Sequence, residues 1–574
     1  MKKSRIWMGL LTSTLLLATA ACSGSNNTNS PNTPAAEEQN GETNGNASGN
    51  AGAGTNTEAE AAPDLSPITY SMGTDQNKIT WDTPITKKLT EKTGVSLKYD
   101  VIVGDLFQKW DIWLASGDYP DIIRLDALHL QKYVEAGAVI PLEELIEKYG
   151  PHIKEKFGDK FDLLKDKDGH IYSIFSVNAA TEAPANSKPP FIVQQAVLEE
   201  AGYPEVKTLD QLYQLIKDYK AKHPQIDGND TIGFAAAMES FMIKIGFNNP
   251  VISAQGLPDH GNFYLDGDKV NWNPVSDASK KYFQFLNKLV QEGLFDIEAF
   301  SMDLPAMQTK LAQGRVLAAY APGWVSDQPD AALRAEGKED RMYAHLPILF
   351  DSSMEDHSTA VTPVNSGTHQ WAVSVNAKNP ERIIQFIDYL FTDEGQILTQ
   401  WGIEGVHYDV VDGKRVVKDE WLAKKAADAD SLYKEGFTGE GTGGASQWFS
   451  IGNGAKLADG DYATPLTKEL VRKEYTEKTK EVLSKYNAET WSDLLPPAQT
   501  VPGYVWQLQP PEDTLAIDVK LEENWRKSMP KMLLAKNNDE FEKEWEAFVA
   551  GSKDAGLDDY NAAFTKIWQE FVNK

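Results

Sequence analysis

Among 574 residues there is a single cysteine, Cys22. That excludes an intramolecular disulfide, a zinc site built from several cysteines and an iron–sulfur cluster, so stability has to come from packing. Positive charge is also short: 56 Lys and Arg stand against 84 Asp and Glu, a formal charge of -28. Such a surface repels phosphate backbones and anionic lipid. Nucleic acid is not an expected partner, and the acidity reads as a solvated surface. The nine histidines form no His-Glu-x-x-His motif, and no Gly-x-Ser-x-Gly elbow occurs, so zinc-protease and serine-hydrolase chemistry lack their signatures. Carboxylate pairs abound in so acidic a chain, and none has a spacing diagnostic of glycoside hydrolysis, whose geometry is spatial. The stretch "GEGTGG" is not framed by a strand and a helix, as a dinucleotide loop would be. No internal repeat is visible.

What is present begins with an ordered N-terminus. Lys2, Lys3 and Arg5 precede an apolar core from Ile6 to Leu17, and small residues follow from Ala18 to Ala21. This is the order of a secretory signal peptide over 1–21, too short to remain as a spanning helix. With Cys22 directly after "ATAA", the segment resembles a bacterial lipoprotein signal. The resemblance implies cleavage before Cys22 and a diacylglyceryl group, with palmitate, on its sulfur. Thr19 departs from the leucine usual three positions before the cysteine; the competing reading is ordinary secretion with a free thiol. From Ser23 to about Ala62 there is no aromatic and no Leu, Ile, Val or Phe. Such a segment cannot bury enough apolar surface to offset its chain entropy, so 22–64 reads as a disordered tether. Its root-mean-square span would be on the order of 30–40 Å.

After "APDLSP" short apolar strands alternate with helical stretches, the signature of an α/β fold with largely parallel sheets. "ITYSMG", "VSLKYDVIVG" and "PDIIRL" read as strands. "DTPITKKLTEKTG" and "LFQKWDIWLASGD" read as the helices between them, with Phe107, Trp110, Trp113 and Leu114 on one apolar face. Gly94 and Gly117 close the two helices as left-handed caps. Helices "TLDQLYQLIKDYKAKHP", "SDASKKYFQFLNKLVQEG" and "LPAMQTKLAQG" with strand "VLAAYAPGW" form a second such unit. "HQWAVSVNA" and "PERIIQFIDYLFTDEG" then resume the first. The last hundred residues are mostly helical, and the stripe Phe541, Trp545 and Phe548 reads as core.

Several segments, in order from about residue 66 to the C-terminus, resemble the extracellular solute-binding proteins (family 1) of bacterial ABC carbohydrate importers: "LASGDYPDII", "GAVIPLEELIEKYGPHI", "DGHIYSI", "LEEAGYPEVKTLDQLYQLIKDYK", "EGLFDIEAF", "FTDEGQILTQWGIEGVHYDVVDGK" and "FVAGSKDAGLDDYNAAFTKIWQEF". The resemblance implies a two-lobe, periplasmic-binding-protein-like α/β fold of the class II type, with a hinge, an interlobe cleft and extra C-terminal helices. The expected divisions are 65–178 (first lobe), 179–344 (second lobe), 345–395 (return to the first lobe) and 396–574 (completion of the second lobe and C-terminal helices). It also implies an oligosaccharide ligand, permease subunits of an ABC importer as partners, a lipid link to the outer face of the cytoplasmic membrane, a monomer, and no catalysis or cofactor. Many members carry a calcium loop where this chain reads "HPQIDGNDTIGF"; Asp227, Asn229 and Asp230 remain while the early ligands are missing, which leaves few of the six to eight oxygens calcium takes. A secreted polysaccharide-active enzyme, or a lipoprotein that binds peptides or lipid headgroups, are the readings from other classes.

Sugars are held by aromatic faces flanked by carboxylates and amides. Trp324, at a strand end in "YAPGW", is the first candidate; Gly323 would permit close approach, and the resembled family often has an aromatic here. Trp448 stands in the glycine-rich "GTGGASQWFSIGNG". Thr74 and Asp75 follow the first strand and Asp126 the third, with helix capping as the competing role for Thr74 and Asp126. Glu182 and Asn178 lie in the crossover "SVNAATEAPANS", near an expected hinge. Gln370 opens a strand beside Trp371, itself expected in the core. An acidic sugar would need Arg or Lys in the cleft, and Arg124 and Arg315 are the best placed.

Overall fold

The computed structural model describes residues 65–573, apart from 75–77, 181, 366–369, 429, 438–447 and 509–510. The signal and tether expectations, with Cys22, therefore lie outside the described residues, as does Asp75.

Two sheets organise the chain. The first runs Val95–Val101, Ile68–Thr74, Ile122–Leu125, Gln370–Val373, Ser173–Ile174. Its first three strands are parallel, and Gln370–Val373 is antiparallel to both neighbours. The second runs Tyr343–Leu346, Phe191–Gln194, Val316–Tyr320, Ile232–Ala235. There Phe191–Gln194 is the antiparallel member and Val316–Tyr320 lies parallel to Ile232–Ala235. The sheets are thus α/β as expected, each with one reversed strand where the chain crosses over from the other lobe.

The local signals act as the sequence indicates. Helix Pro84–Thr93 starts at Thr83, whose side chain accepts from the Thr86 amide, with Pro84 in the first turn. It ends at Gly94, whose φ of 70° is left-handed, and Gly117 ends helix Leu106–Ser116 in the same way at 72°. Strand residues are buried on both faces, because helices cover both: all four residues of Ile122–Leu125 and all five of Val316–Tyr320 are buried.

Each sheet has its own core. That of the first gathers Tyr70, Met72, Leu97, Ile122, Trp371 and the apolar face of helix Pro380–Phe391. That of the second gathers Phe191, Phe234, Tyr282 and Leu317, together with Trp525, Phe541, Trp545 and Phe548 from the terminal helices. The expected division at 396 needs correction. Leu398, Trp421, Phe437, Trp448, Ile451 and Ala463 all pack into the first core, and the chain reaches the second at Tyr475 and Val482. Their apolar side chains find room under the π-helical turn Ile397–Trp401 and helix Pro380–Phe391, a tertiary opportunity that local pattern does not reveal.

Candidate functional site

The crossings between the sheets fix where a ligand can lie. Ser176–Val177 leaves the first sheet directly after Ser173–Ile174 and pairs antiparallel with the returning Val364–Asn365. The outgoing chain joins the second sheet at Phe191, which sits opposite Tyr320 and Leu346, the last residues of their strands. In the first sheet Gln370 is opposite Leu125, the last residue of its strand. Both carboxyl edges therefore adjoin the same connecting segments, the position at which open α/β sheets bind ligands.

On the second sheet's edge, Trp324 lies in the first turn of helix Gly323–Ala335, just past strand Val316–Tyr320. It is 40% exposed and faces Phe241, 51% exposed, with ring centroids 6.0 Å apart and planes tilted by 37°. Two neighbouring large rings left open to water are unusual for a surface with no partner. Phe241 was not singled out from the sequence. It is carried by the loop after Ile232–Ala235, where Ser240 holds a φ of 53°. Arg526 of a C-terminal helix clamps that loop, donating from Nη1 to the Met238 carbonyl at 2.6 Å and from Nη2 to the Ser240 carbonyl, while Glu522 holds the same guanidinium at 2.8 Å. Glu239 is exposed beside Phe241. Asp327, one turn beyond Trp324, is paired with Lys188 of the outgoing crossing. At Gly323 an added Cβ would meet the Asp327 carboxylate at 3.5 Å and Lys188 Cδ at 3.8 Å, ordinary contacts, so close approach is not what requires glycine there.

On the first sheet's edge, Asp126 caps helix Ala127–Glu135. Its Oδ1 accepts from the His129 amide at 2.7 Å and contacts His129 Nδ1 at 2.8 Å, so the capping role holds. The His129 ring lies parallel to that of Phe107, 5.2 Å away and 3° from coplanar. Phe107 is 52% exposed, whereas Trp110 and Trp113 are buried. The helical spacing is right, yet Phe107 stands in the first turn, beyond the end of strand Val95–Val101, and so projects past the core. Each carboxyl edge thus presents an open aromatic ring.

The other expected residues divide. Thr74 is buried, and its hydroxyl accepts from Arg124 Nη1 at 3.1 Å; Arg124 is itself buried beneath the edge. Gln370 is buried and accepts from the Ser173 hydroxyl at 2.6 Å. Thr74, Asp126 and Gln370 do share one edge, but as its framework. Asn178 belongs to the crossing: its amide donates to the Pro363 carbonyl at 2.9 Å, its carbonyl accepts from Lys160 Nζ at 2.9 Å, and its Oδ1 accepts from the Ala180 amide at 3.1 Å. Glu182 is exposed on the outgoing crossing. Trp448 is a correction: it is 1% exposed, its indole donates to the Gly436 carbonyl at 3.0 Å, and it meets Trp81 edge-on at 6.0 Å within the first core. Arg315 lies at the amino end of Val316–Tyr320, away from the cleft edge, bonded to the side chain of Gln313 and the carbonyl of Asp230.

The calcium candidates lie at that same far end, in the hairpin Gln225–Ile226/Asn229–Asp230. Asp227 at its turn receives Arg341 through Nη1 at 2.6 Å and Nη2 at 3.1 Å, and Lys338 Nζ at 3.2 Å. The hydrogen bonds from these two cations hold its carboxyl at about 2. Asp230 accepts from Gln225 at 3.2 Å, and the Asn229 amide points to the Asp227 carbonyl at 3.4 Å. The chain itself supplies positive charge where an ion would bring it. Among the described residues no group of three or more His, Cys, Asp or Glu is placed to hold a metal. Nor is any helix there long and apolar enough to cross a membrane.

Comparison with known proteins agrees with this architecture. A fructooligosaccharide ABC transporter substrate-binding protein of Streptococcus pneumoniae is 25% identical over 333 residues, 56% of this chain and 60% of that protein. A lipoprotein of Bacillus subtilis is 24% identical over 347 residues, 58% of this chain and 65% of the relative. The chain thus spans less than two thirds of the length of these relatives. A solved S. pneumoniae substrate-binding protein in complex with kestose superposes with a TM-score of 0.61 at 18% identity, over 88% of this chain and 100% of the other, and so shares the fold. The family model for bacterial extracellular solute-binding proteins matches residues 74–397, and the chain belongs to that family.

Proposed function

We propose that this chain is the receptor of an ABC importer: it binds an oligosaccharide between the two carboxyl edges, closes over it and delivers it to membrane permease subunits. The observation that carries this reading is the open Trp324–Phe241 pair at the end of Val316–Tyr320, together with Phe107, which is also open at the carboxyl edge of the other sheet. Apolar ring faces of this kind stack on the C–H faces of sugars. The curated relative that serves fructooligosaccharides and the fold neighbour bound to kestose support the same ligand class. Function as a monomer and without catalysis is part of the proposal, as is an anchor at Cys22 that tethers the receptor to the outer face of the cytoplasmic membrane; the lipoprotein relative supports the anchor. Glu182, exposed on the outgoing crossing, and Asp75 are retained as candidate ligand contacts.

A melting-temperature screen of the full chain against neutral and acidic oligosaccharides tests the binding. A ligand at a hundredfold excess over its Kd adds about 2.7 kcal/mol of stability. A shift with no release of reducing ends is expected. No shift with any sugar defeats the proposal, and turnover replaces it with an enzyme. For the anchor, Cys22→Ser is expected to move the protein from the membrane fraction to the medium.

A further inference from the structure

We infer that Trp506, Asp259 and Asn249 form a second sugar subsite beside the carboxyl end of Val316–Tyr320, built for a neutral ring bearing adjacent hydroxyls; this rests on the oligosaccharide reading above.

The apolar half of the site is a fixed platform. Trp506 is 44% exposed, although Val505 beside it is fully buried. Its indole lies parallel to the Tyr504 ring, within 10° and 5.9 Å between centroids. Three contacts set its pose. The indole Nε1 donates to the Asp259 carbonyl at 3.2 Å. The Val505 amide donates to His260 Nδ1 at 3.2 Å; burial pushes the His260 ring down to about 4, which keeps that nitrogen an acceptor at neutral pH. The Tyr504 hydroxyl donates to the carbonyl of Ala360, on the returning crossing, at 3.2 Å. Gly261 makes the fit possible: at its φ of 71° an added Cβ would stand 2.7 Å from the Trp506 Cβ. A rigid indole face held open costs little further ordering when a ring stacks on it.

The polar half lies beside this face. Asp259 is exposed; its Oδ1 accepts from the Gly261 amide at 2.8 Å and its Oδ2 from Asn249 Nδ2 at 3.0 Å, which leaves each oxygen a further lone pair. Asn249 is 7% exposed, and its Oδ1 has no hydrogen-bond partner among the described residues. A buried acceptor left unmet is costly, and a hydroxyl donor would relieve it once a small shift of the side chain opens the enclosed oxygen to the ligand. The two Asp259 oxygens, each with a lone pair free and held in place by Asn249 and Gly261, suit two neighbouring sugar hydroxyls. The surrounding protein pushes the Asp259 carboxyl up to about 6, so at neutral pH it is mostly ionised; its polar partners are an amide and a backbone N–H rather than a cation, and the carboxylate of a uronic acid would meet like charge here. The place is also right. Tyr320, the last residue of its strand, has its phenol raised far above the ordinary range by burial and then by the Asp259 carboxylate, and Trp324 follows four residues later. In this reading Trp324 and Trp506 hold different rings of one oligosaccharide.

Equilibrium dialysis of the full chain tests the inference. The probe is a mixture of fructo-, xylo-, manno- and galacturono-oligosaccharides of two to five units, read by mass spectrometry. Wild type is expected to retain neutral oligomers. Trp506→Ala and Asp259→Asn should each weaken retention of trimers and longer by about tenfold, or 1.4 kcal/mol, with disaccharides less affected. Melting temperatures serve as the folding control, and the isosteric Asp259→Asn carries the test if Trp506→Ala does not fold. Retention by wild type that neither variant changes overturns the subsite and leaves the receptor reading intact. A preference for galacturonate oligomers overturns its neutral specificity. Retention of nothing by wild type defeats both this site and the reading it rests on.

Discussion

Trp324 and Phe241, whose ring centroids lie 6.0 Å apart, come from the ends of two adjacent parallel strands, Val316–Tyr320 and Ile232–Ala235. Parallel strands end on the same side, so residues distant in sequence become one surface at the carboxyl edge. Aromatic contacts contribute about 0.5–1.5 kcal/mol beyond the area they bury. Trp324→Ala is expected to weaken binding of whichever oligosaccharide the screen identifies by about tenfold in calorimetry. Its melting temperature should stay near that of wild type, because the side chain is open to solvent. An unchanged affinity would move the binding surface away from this edge.

Trp448→Ala is expected to behave in the opposite way. The side chain fills the first core between Trp81 and the carbonyl of Gly436, and truncating a buried tryptophan costs about 3–5 kcal/mol. Urea denaturation should show that loss. Full stability with impaired sugar binding would instead return Trp448 to the cleft.

These two tryptophans show how far the sequence could be read. Strand and helix alternation was legible because apolar runs end at residues with a single local role, such as Gly94 and Gly117. Trp324 was legible because it stands at the end of such a run. Trp448 misled because its glycine-rich neighbours hide which core it enters; burial is decided by helix Pro380–Phe391 and Trp81, far off in sequence. Phe241 left no signal, since its exposure depends on a clamp from Arg526, 288 residues beyond Met238. Phe107 shares its helical face with two core tryptophans and differs only in overhanging the sheet. Tertiary relations of this kind carry no local periodicity.

Asp227 bears on calcium. With Arg341 and Lys338 already on its carboxylate, added calcium finds a site whose charge is neutralised, short of the six to eight oxygens it takes. Melting temperatures in millimolar calcium and in EDTA are expected to coincide. Arg341→Gln should lower the melting temperature, since it strips the bidentate partner from the turn. A calcium-dependent rise in the wild-type protein would show that the hairpin opens to bind the ion.

Asp330 gives a prediction with a sign. It lies on helix Gly323–Ala335, the helix that carries Trp324, and its Oδ1 accepts from the Tyr343 amide at 3.0 Å. Burial pushes its carboxyl up to about 7, against an unfolded value of about 3.9. Below that unfolded value both states hold the proton and folding carries no penalty. As pH rises, the unfolded chain releases the proton first, so stability declines by about 1.4 kcal/mol per unit until the folded carboxyl also ionises near neutrality. Asp330→Asn keeps the acceptor for Tyr343 and removes the titration. The variant should therefore melt above wild type in mildly alkaline buffer, and the gap should narrow steadily through the mildly acid range and close near the unfolded pKa. A gap that does not change with pH would mean that Asp330 keeps its charge in the folded protein, with Lys188, whose field already lowers its pKa, as its counter-ion.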